Sequence, residues 1–73
     1  MKNRVKQILT ERGFKYVQLT DELLKKLEVD TPHRFNKIWH NDVEMTQREI
    51  IAFRDWLQLA SIDELFEVED AHA

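Results

Sequence analysis

The sequence predicts an all-α protein, a compact orthogonal bundle of about five short helices. Apolar residues recur at three- and four-residue steps along nearly the whole chain, and no useful stretch alternates apolar and polar residues. Three helix-start signals also follow one another at short intervals, in residues 31–32, 46–49 and 61–64. A chain of 73 residues holds one small core, and helices this short favour an orthogonal bundle over an up-down bundle.

The first helix is expected to begin near Asn3 and to end at Gly13. Val5, Ile8 and Leu9 have helical spacing and would form its apolar face. Glycine suits the residue after a helix end because it adopts a left-handed backbone conformation without steric cost.

The second helix is expected within residues 15–28. Its apolar residues recur with helical spacing: Tyr16, Leu19, Leu23 and Leu27. Its start has two alternatives. The helix either begins near Lys15, or it is shorter and begins at Thr20, whose hydroxyl can cap a helix N-terminus.

The third helix is expected to begin at Thr31 and Pro32. The threonine can cap the helix, and the missing N–H of proline costs nothing at the first helical position. The helix runs to about Asn41 and directs three side chains into the core: Phe35, Ile38 and Trp39.

Two capping boxes predict the remaining helices. Thr46 and Glu49 begin a fourth helix that continues to about Leu59, with Met45 and Ile50 placed for a hydrophobic staple. Its apolar face consists of Ile50, Phe53, Trp56 and Leu57.

A short last helix follows the fourth. Ser61 and Glu64 form its capping box, and it is expected to end at Phe66. Residues 68–73 are predicted to be an acidic, disordered tail, which leaves a single domain in residues 1–67.

The net charge of −3 conceals an asymmetric distribution. Residues 1–40 contain nine Lys/Arg and five Asp/Glu, a balance of +4, whereas residues 41–73 contain two and nine, a balance of −7. A basic half beside an acidic half indicates a polyanionic partner for the basic half.

Composition argues against several classes of protein. The absence of cysteine excludes disulfides and thiolate metal sites and favours a reducing, cytoplasmic setting. The apolar runs are far too short for a membrane span, and the N-terminus has no signal-peptide pattern. His33 and His40 have the wrong spacing for a helical zinc site, and Ser61 is better explained as a cap than as a nucleophile. We therefore expect no enzyme activity, metal, cofactor or small-molecule substrate.

The outward side of the third helix has the composition of a base-reading surface. Four polar residues lie along one stripe of that helix: His33, Asn36, Lys37 and His40. Asparagine can pair with adenine and lysine can donate to guanine. Residues 31–41 contain no carboxylate that would repel phosphates.

The order of these elements resembles the lambda-repressor-like, Cro/C1-type helix-turn-helix family. The resemblance covers roughly residues 3–67, and residues 61–66 match the family's fifth helix most specifically. Leu24 and Glu28 stand near the places where the family keeps a small residue and a glycine. The chain has extra residues relative to the family pattern, and their place depends on which leucines are the paired core positions. They precede Pro32 if the pair is Leu19 and Leu23. They precede the second helix if the pair is Leu23 and Leu27.

The resemblance implies a small transcriptional regulator that binds double-stranded DNA in a sequence-specific manner, with the third helix in the major groove. The stripe residues would contact bases. The phosphate contacts would come from Lys15, Tyr16, Gln18, Lys25, Lys26, Arg34 and Thr46. A homodimer is expected because a single recognition helix binds weakly. Its interface would be formed by Ile62, Leu65, Phe66 and Val68.

The alternative interpretation is a helical protein-interaction module, antitoxin-like or an adaptor, that keeps the fold without reading DNA. The net negative charge, the atypical turn and the apolar last helix favour it.

Overall fold

The computed structural model describes residues 2–67, which form four α-helices and one 3-10 helix. The α-helices are α1 (Val5–Glu11), α2 (Asp21–Lys26), α3 (Pro32–Trp39) and α4 (Gln47–Trp56), and the 3-10 helix spans Ile62–Leu65. The all-α prediction is confirmed for these residues, with the last helix being a 3-10 helix rather than an α-helix. The predicted tail, residues 68–73, lies outside the described residues.

Threonine hydroxyls begin three of the four α-helices. Thr20 Oγ1 accepts a hydrogen bond from Leu23 N at 3.1 Å, so the second helix is the shorter of the two alternatives. Thr31 Oγ1 accepts from Arg34 N at 3.1 Å, with Pro32 at the first helical position. Each hydroxyl satisfies a backbone N–H that the helix itself leaves without a partner.

All four α-helices end in the same backbone motif. The residue after each C-cap has a positive φ angle: 91° at Gly13, 60° at Glu28, 59° at Asn41 and 56° at Gln58. In each case this residue and the next donate hydrogen bonds back to carbonyls of the last helical turn. Glycine takes this conformation without strain, whereas the side chains of Glu28 and Gln58 make it less favourable.

Aromatic side chains join α3 to α4 across the core. The ring of Phe35 stacks on that of Phe53, with centroids 6.0 Å apart, and Phe53 contacts Trp56 edge to face at 6.0 Å. Phe35 and Ile38 are buried as predicted, while Trp39 is only partly buried. The buried apolar cluster consists of Val5, Ile8, Leu9, Leu24, Leu27, Val29, Phe35, Ile38, Met45, Phe53, Leu57 and Leu65.

The 3-10 helix closes back on the start of the chain. Arg4 N donates to Leu65 O at 2.7 Å, and Glu67 N donates to Lys2 O at 2.9 Å. This arrangement buries Leu65 completely, with 0% of its surface exposed. The expectation that Leu65 contributes to a dimer interface is therefore wrong, because its side chain completes the core of its own chain. Phe66 also packs partly against that core.

Candidate nucleic-acid interface

One face of α3 presents four exposed polar side chains, and the opposite face is buried. The exposed residues are those of the predicted stripe: His33, Asn36, Lys37 and His40. We call this surface the α3 stripe. At 1.5 Å per residue it is about 10 Å long. The buried Phe35 and Ile38 fix the rotation of the helix and so determine which side chains point outward.

An ion pair joins the N-terminal half of α3 to α4. Arg34 Nε donates to Glu49 Oε2 and Arg34 Nη2 donates to Glu49 Oε1, each at 2.7 Å. The backbone N–H of Thr46 also donates to Glu49 Oε1 at 2.7 Å, and Thr46 Oγ1 accepts from Glu49 N, so the predicted capping box is present. Glu49 therefore caps its own helix and pairs with α3 through the same carboxylate.

The ion pair shifts the pKa values of both partners. Burial raises the pKa of the Glu49 carboxyl, but the hydrogen bonds from Arg34 and Thr46 and the positive charge of Arg34 outweigh burial. The pKa of Glu49 consequently lies below its ordinary value. The hydrogen bond to Glu49 likewise raises the pKa of Arg34. Both groups are charged at neutral pH, and the pair is neutral as a unit.

Two predicted phosphate contacts need correction because of this pair. The guanidinium of Arg34 binds Glu49 and also donates to Glu44 O at 3.1 Å, so its charge is neutralised within the chain. The backbone amide of Thr46 is not open to a phosphate, because it donates to Glu49. The positive charge of Arg34 is therefore compensated within the chain, and the Thr46 amide is already used as a donor, so neither serves as the phosphate contact predicted from the sequence.

An asparagine near the N-terminus of the chain holds the C-terminal end of α3. Asn3 is 5% exposed. Its Nδ2 donates to Ile38 O at 2.8 Å, and its Oδ1 accepts from Val5 N at 3.0 Å. The backbone N–H of Asn3 donates to Asn41 Oδ1 at 2.8 Å, and Asn41 Nδ2 donates to Asn3 O at 3.2 Å. Both ends of α3 are thus fixed by polar contacts to other elements.

A short turn, residues 27–31, connects α2 to α3, whereas the longer residues 12–20 connect α1 to α2. The longer connection therefore precedes α2. The buried leucines of this segment are Leu24 and Leu27, whereas Leu19 and Leu23 are only partly buried. Glu28 occupies the turn with a φ angle of 60°, the conformation that glycine favours. Lys25 and Lys26, at the end of α2, are exposed.

Three other predicted phosphate contacts lie in a different part of the surface. Lys15, Tyr16 and Gln18 line a groove between the C-terminal ends of α1 and α4. No residue of α2 or α3 lines this groove. These three residues therefore share a groove with the ends of α1 and α4 and not with the residues of the α3 stripe.

The residues that hold α3 in place are not evident from the sequence. The capping pattern identifies Glu49 but not its pairing with Arg34, which the sequence suggests as a phosphate contact. Asn3 and Asn41 mark only approximate helix boundaries in the sequence. Asn41 has a local signal, because asparagine can take the left-handed backbone conformation that follows a helix end. Nothing near Asn3 in the sequence indicates its contact with Ile38.

Comparisons with known proteins give no relative of this chain. No protein-family model matches it, no curated protein matches it, and no solved structure matches it. Among residues 2–67, no helix has the length and apolar character needed to cross a membrane.

Proposed function

We propose that this protein binds double-stranded DNA in a sequence-specific manner as a small transcriptional regulator. In this proposal α2, residues 27–31 and α3 form a helix-turn-helix, and α3 enters the major groove. The observation that carries the proposal is the α3 stripe, a row of exposed hydrogen-bonding side chains on a helix that is fixed at both ends. Fixed contacts of this kind reduce the entropy lost when a surface binds its target.

The chemistry of the stripe suits base edges. Asn36 can pair with adenine through two hydrogen bonds, and Lys37 can donate to guanine O6 and N7. His33 and His40 add donors at the two ends of the stripe. The Glu49 carboxylate, which packs against α3, is 1% exposed and paired with Arg34, so it presents no negative charge to a phosphate.

Lys25 and Lys26 are the phosphate contacts that we retain. Both are exposed at the end of α2, next to the turn that leads to α3. In a helix-turn-helix, the helix before the recognition helix crosses the DNA backbone. These contacts would position the protein without contributing to base preference.

A homodimer remains part of the proposal. Ile62, with 38% of its surface exposed, and the partly buried Phe66 are the described residues left for the predicted interface. Val68 lies outside the described residues. Two α3 helices on half-sites one helical turn apart would supply the affinity that one helix lacks.

A protein-interaction module is the second candidate function. The observation that favours it is the set of exposed large apolar side chains away from the α3 stripe: Phe14, Tyr16, Ile51 and Ile62. Such side chains are enriched where proteins bind one another. This candidate predicts that no duplex is bound at any salt concentration.

The test begins with selection of the full chain against a pool of random duplexes. Affinity for the recovered duplex is then measured by fluorescence anisotropy at several salt concentrations. We expect Lys25→Ala to weaken binding to all duplexes alike and to reduce the salt slope by about 1. Asn36→Ala should weaken binding to the selected duplex by about tenfold or more and leave binding to unrelated duplexes unchanged.

The matched control is Arg12→Ala, which removes an exposed cation at the end of α1, in a groove that no residue of α2 or α3 lines, and should leave both affinities unchanged. Equal effects of Lys25→Ala and Arg12→Ala on every duplex, with no effect of Asn36→Ala, would contradict the proposal, since the binding would then depend on charge alone.

A further inference from the structure

The groove between the C-terminal ends of α1 and α4 is a surface feature that the proposed DNA binding does not use. It has a volume of about 670 Å³. We call it the α1/α4 groove. Its lining consists of Leu9, Arg12, Gly13, Phe14, Lys15, Tyr16, Val17, Gln18, Trp56 and Leu57. Most of these residues belong to the connection between α1 and α2, which is longer than the other short turns of the fold.

Aromatic side chains stand exposed in this groove. Phe14 is 54% exposed and Tyr16 is 78% exposed, although both are large enough to contribute to a core. The partly buried Trp56 forms part of the wall. The start of the connection is fixed, because Phe14 N donates to Leu9 O at 2.9 Å in the motif that ends α1. The backbone of Phe14 is therefore fixed at the end of α1.

The charged side chains that line the groove are all positive. Arg12 and Lys15 line it, and no carboxylate does. Neither cationic side chain takes part in a hydrogen bond or ion pair with another described residue in 2–67. Two unpaired cations beside exposed aromatic rings complement a partner that carries carboxylates next to a large apolar side chain.

A nucleic acid fits this groove less well than a protein does. Interfaces with nucleic acid are strongly basic and polar, and cations follow the phosphates along the chain. Here two cations accompany six apolar or aromatic side chains in the lining. Protein interfaces, by contrast, are enriched in aromatic residues and arginine at their centre.

We propose that the α1/α4 groove docks an acidic peptide segment of a partner protein. An aromatic or aliphatic side chain of the peptide packs against Phe14, Tyr16 and Trp56. Carboxylates beside it pair with Arg12 and Lys15. No residue of α2 or α3 lines the groove, so the peptide contacts none of the side chains that we assign to DNA. This inference stands independently of DNA binding, and the two can fail separately.

The test uses random peptides displayed on phage and selected against the immobilised full chain. We expect the recovered peptides to share an aromatic or leucine residue flanked by aspartate or glutamate. A synthetic copy of one recovered peptide is then titrated into the labelled protein and followed by NMR. The two indole N–H signals separate the surfaces, since Trp56 lines the α1/α4 groove and Trp39 lines a different groove beside His40. The peptide should shift Trp56 and leave Trp39 unchanged.

Two variants test the contacts. Tyr16→Ala and Lys15→Glu should each weaken peptide binding by about tenfold, and the fold should be retained because both side chains are exposed. Lys26→Glu, a charge reversal on α2, is the matched control and should leave peptide affinity unchanged. Melting curves from circular dichroism check that each variant remains folded.

Four outcomes overturn the inference. The first is recovery of no peptides, or of peptides without acidic residues. The second is a peptide that shifts Trp39 instead of Trp56. The third is a loss of DNA affinity in Lys15→Glu equal to that in Lys26→Glu, which would make the groove part of a nucleic-acid surface. The fourth is concentration-dependent sedimentation that Tyr16→Ala abolishes, which would identify a second copy of the chain as the occupant.

Discussion

Replacing Glu49 by glutamine should be among the most destabilising isosteric changes in this protein. The Glu49 carboxylate accepts two hydrogen bonds from Arg34 and one from the Thr46 backbone, all at 2.7 Å. Glutamine has nearly the same volume but only one acceptor oxygen. Its NH₂ group would face a donor, either Arg34 Nε or the pair formed by Arg34 Nη2 and Thr46 N.

The expected cost follows from the burial of the two partners. Removing one member of a fully buried ion pair costs about 3–5 kcal/mol. Glu49 is almost completely buried, but the Arg34 side chain is 30% exposed, so water partly stabilises the guanidinium that is left behind. We therefore expect a loss of about 2–3 kcal/mol, the range typical of hydrogen bonds to charged groups. In a domain of this size each 1 kcal/mol lowers Tm by about 4–8 °C.

The assay is urea unfolding at neutral pH, followed by circular dichroism for the parent chain and the variant. Glu67→Gln is the control, because it removes the charge from an exposed side chain and should change the unfolding free energy by less than about 0.5 kcal/mol. A cost for Glu49→Gln no larger than that of the control would refute the reasoning. It would mean that the hydrogen bonds from Arg34 to Glu49 contribute nothing measurable to the unfolding free energy.

Three further predictions concern pH, the N-terminal contact and one helix end. The pKa of Glu49 in the folded state lies below its unfolded value of about 4.3, so ionisation of Glu49 stabilises the fold above that pH. This contribution is lost as the pH falls through the lower folded-state pKa. The unfolding free energies of the parent and of Glu49→Gln, measured from pH 7 downward, should therefore converge. Asn3→Ala should cost about 2 kcal/mol in urea unfolding, since it leaves the backbone groups of Ile38 and Val5 without their side-chain partners, and a cost near zero would contradict that role. Glu28→Gly should raise the unfolding free energy by about 0.5–1 kcal/mol, because glycine adopts the φ angle of 60° without strain. A destabilised variant would contradict this and would show that the Glu28 side chain makes a stabilising contact.

The helix starts could be predicted because their signals are local. Thr31 with Pro32, and Thr46 with Glu49, satisfy backbone groups three residues away, so the pattern is complete within a few residues of sequence. The end of α1 at Gly13 is equally local. Periodicity does not decide between Lys15 and Thr20 as the start of the second helix, because Leu19 and Leu23 keep a helical spacing whether or not residues 15–20 are helical.

The contacts that position α3 could not be predicted because they join distant parts of the chain. Asn3 is 35 residues from Ile38, and Arg34 is 15 residues from Glu49. Periodicity identifies which side of a helix faces outward, and so it identified the α3 stripe. It cannot show that an arginine at the edge of that face is already paired, or that Leu65 lies beneath the N-terminal residues.

The same contacts connect stability to the proposed function. Arg34 and Asn3 hold the two ends of α3, although neither belongs to the α3 stripe. Substitutions that loosen either end should allow α3 to tilt on the duplex, and they should weaken specific binding more than nonspecific binding. Such an effect would separate these positioning residues from Lys25 and Lys26, whose loss should weaken both kinds of binding alike.

The central claim is that the α3 stripe determines which DNA sequence is bound. Its most direct test is the random-duplex selection carried out in parallel on the parent chain and on Asn36→Ala. We expect the parent to enrich one motif, and the variant to lose the preference at one base pair while keeping the rest of the motif. Identical motifs from both proteins, or no enriched motif from the parent, would contradict the account.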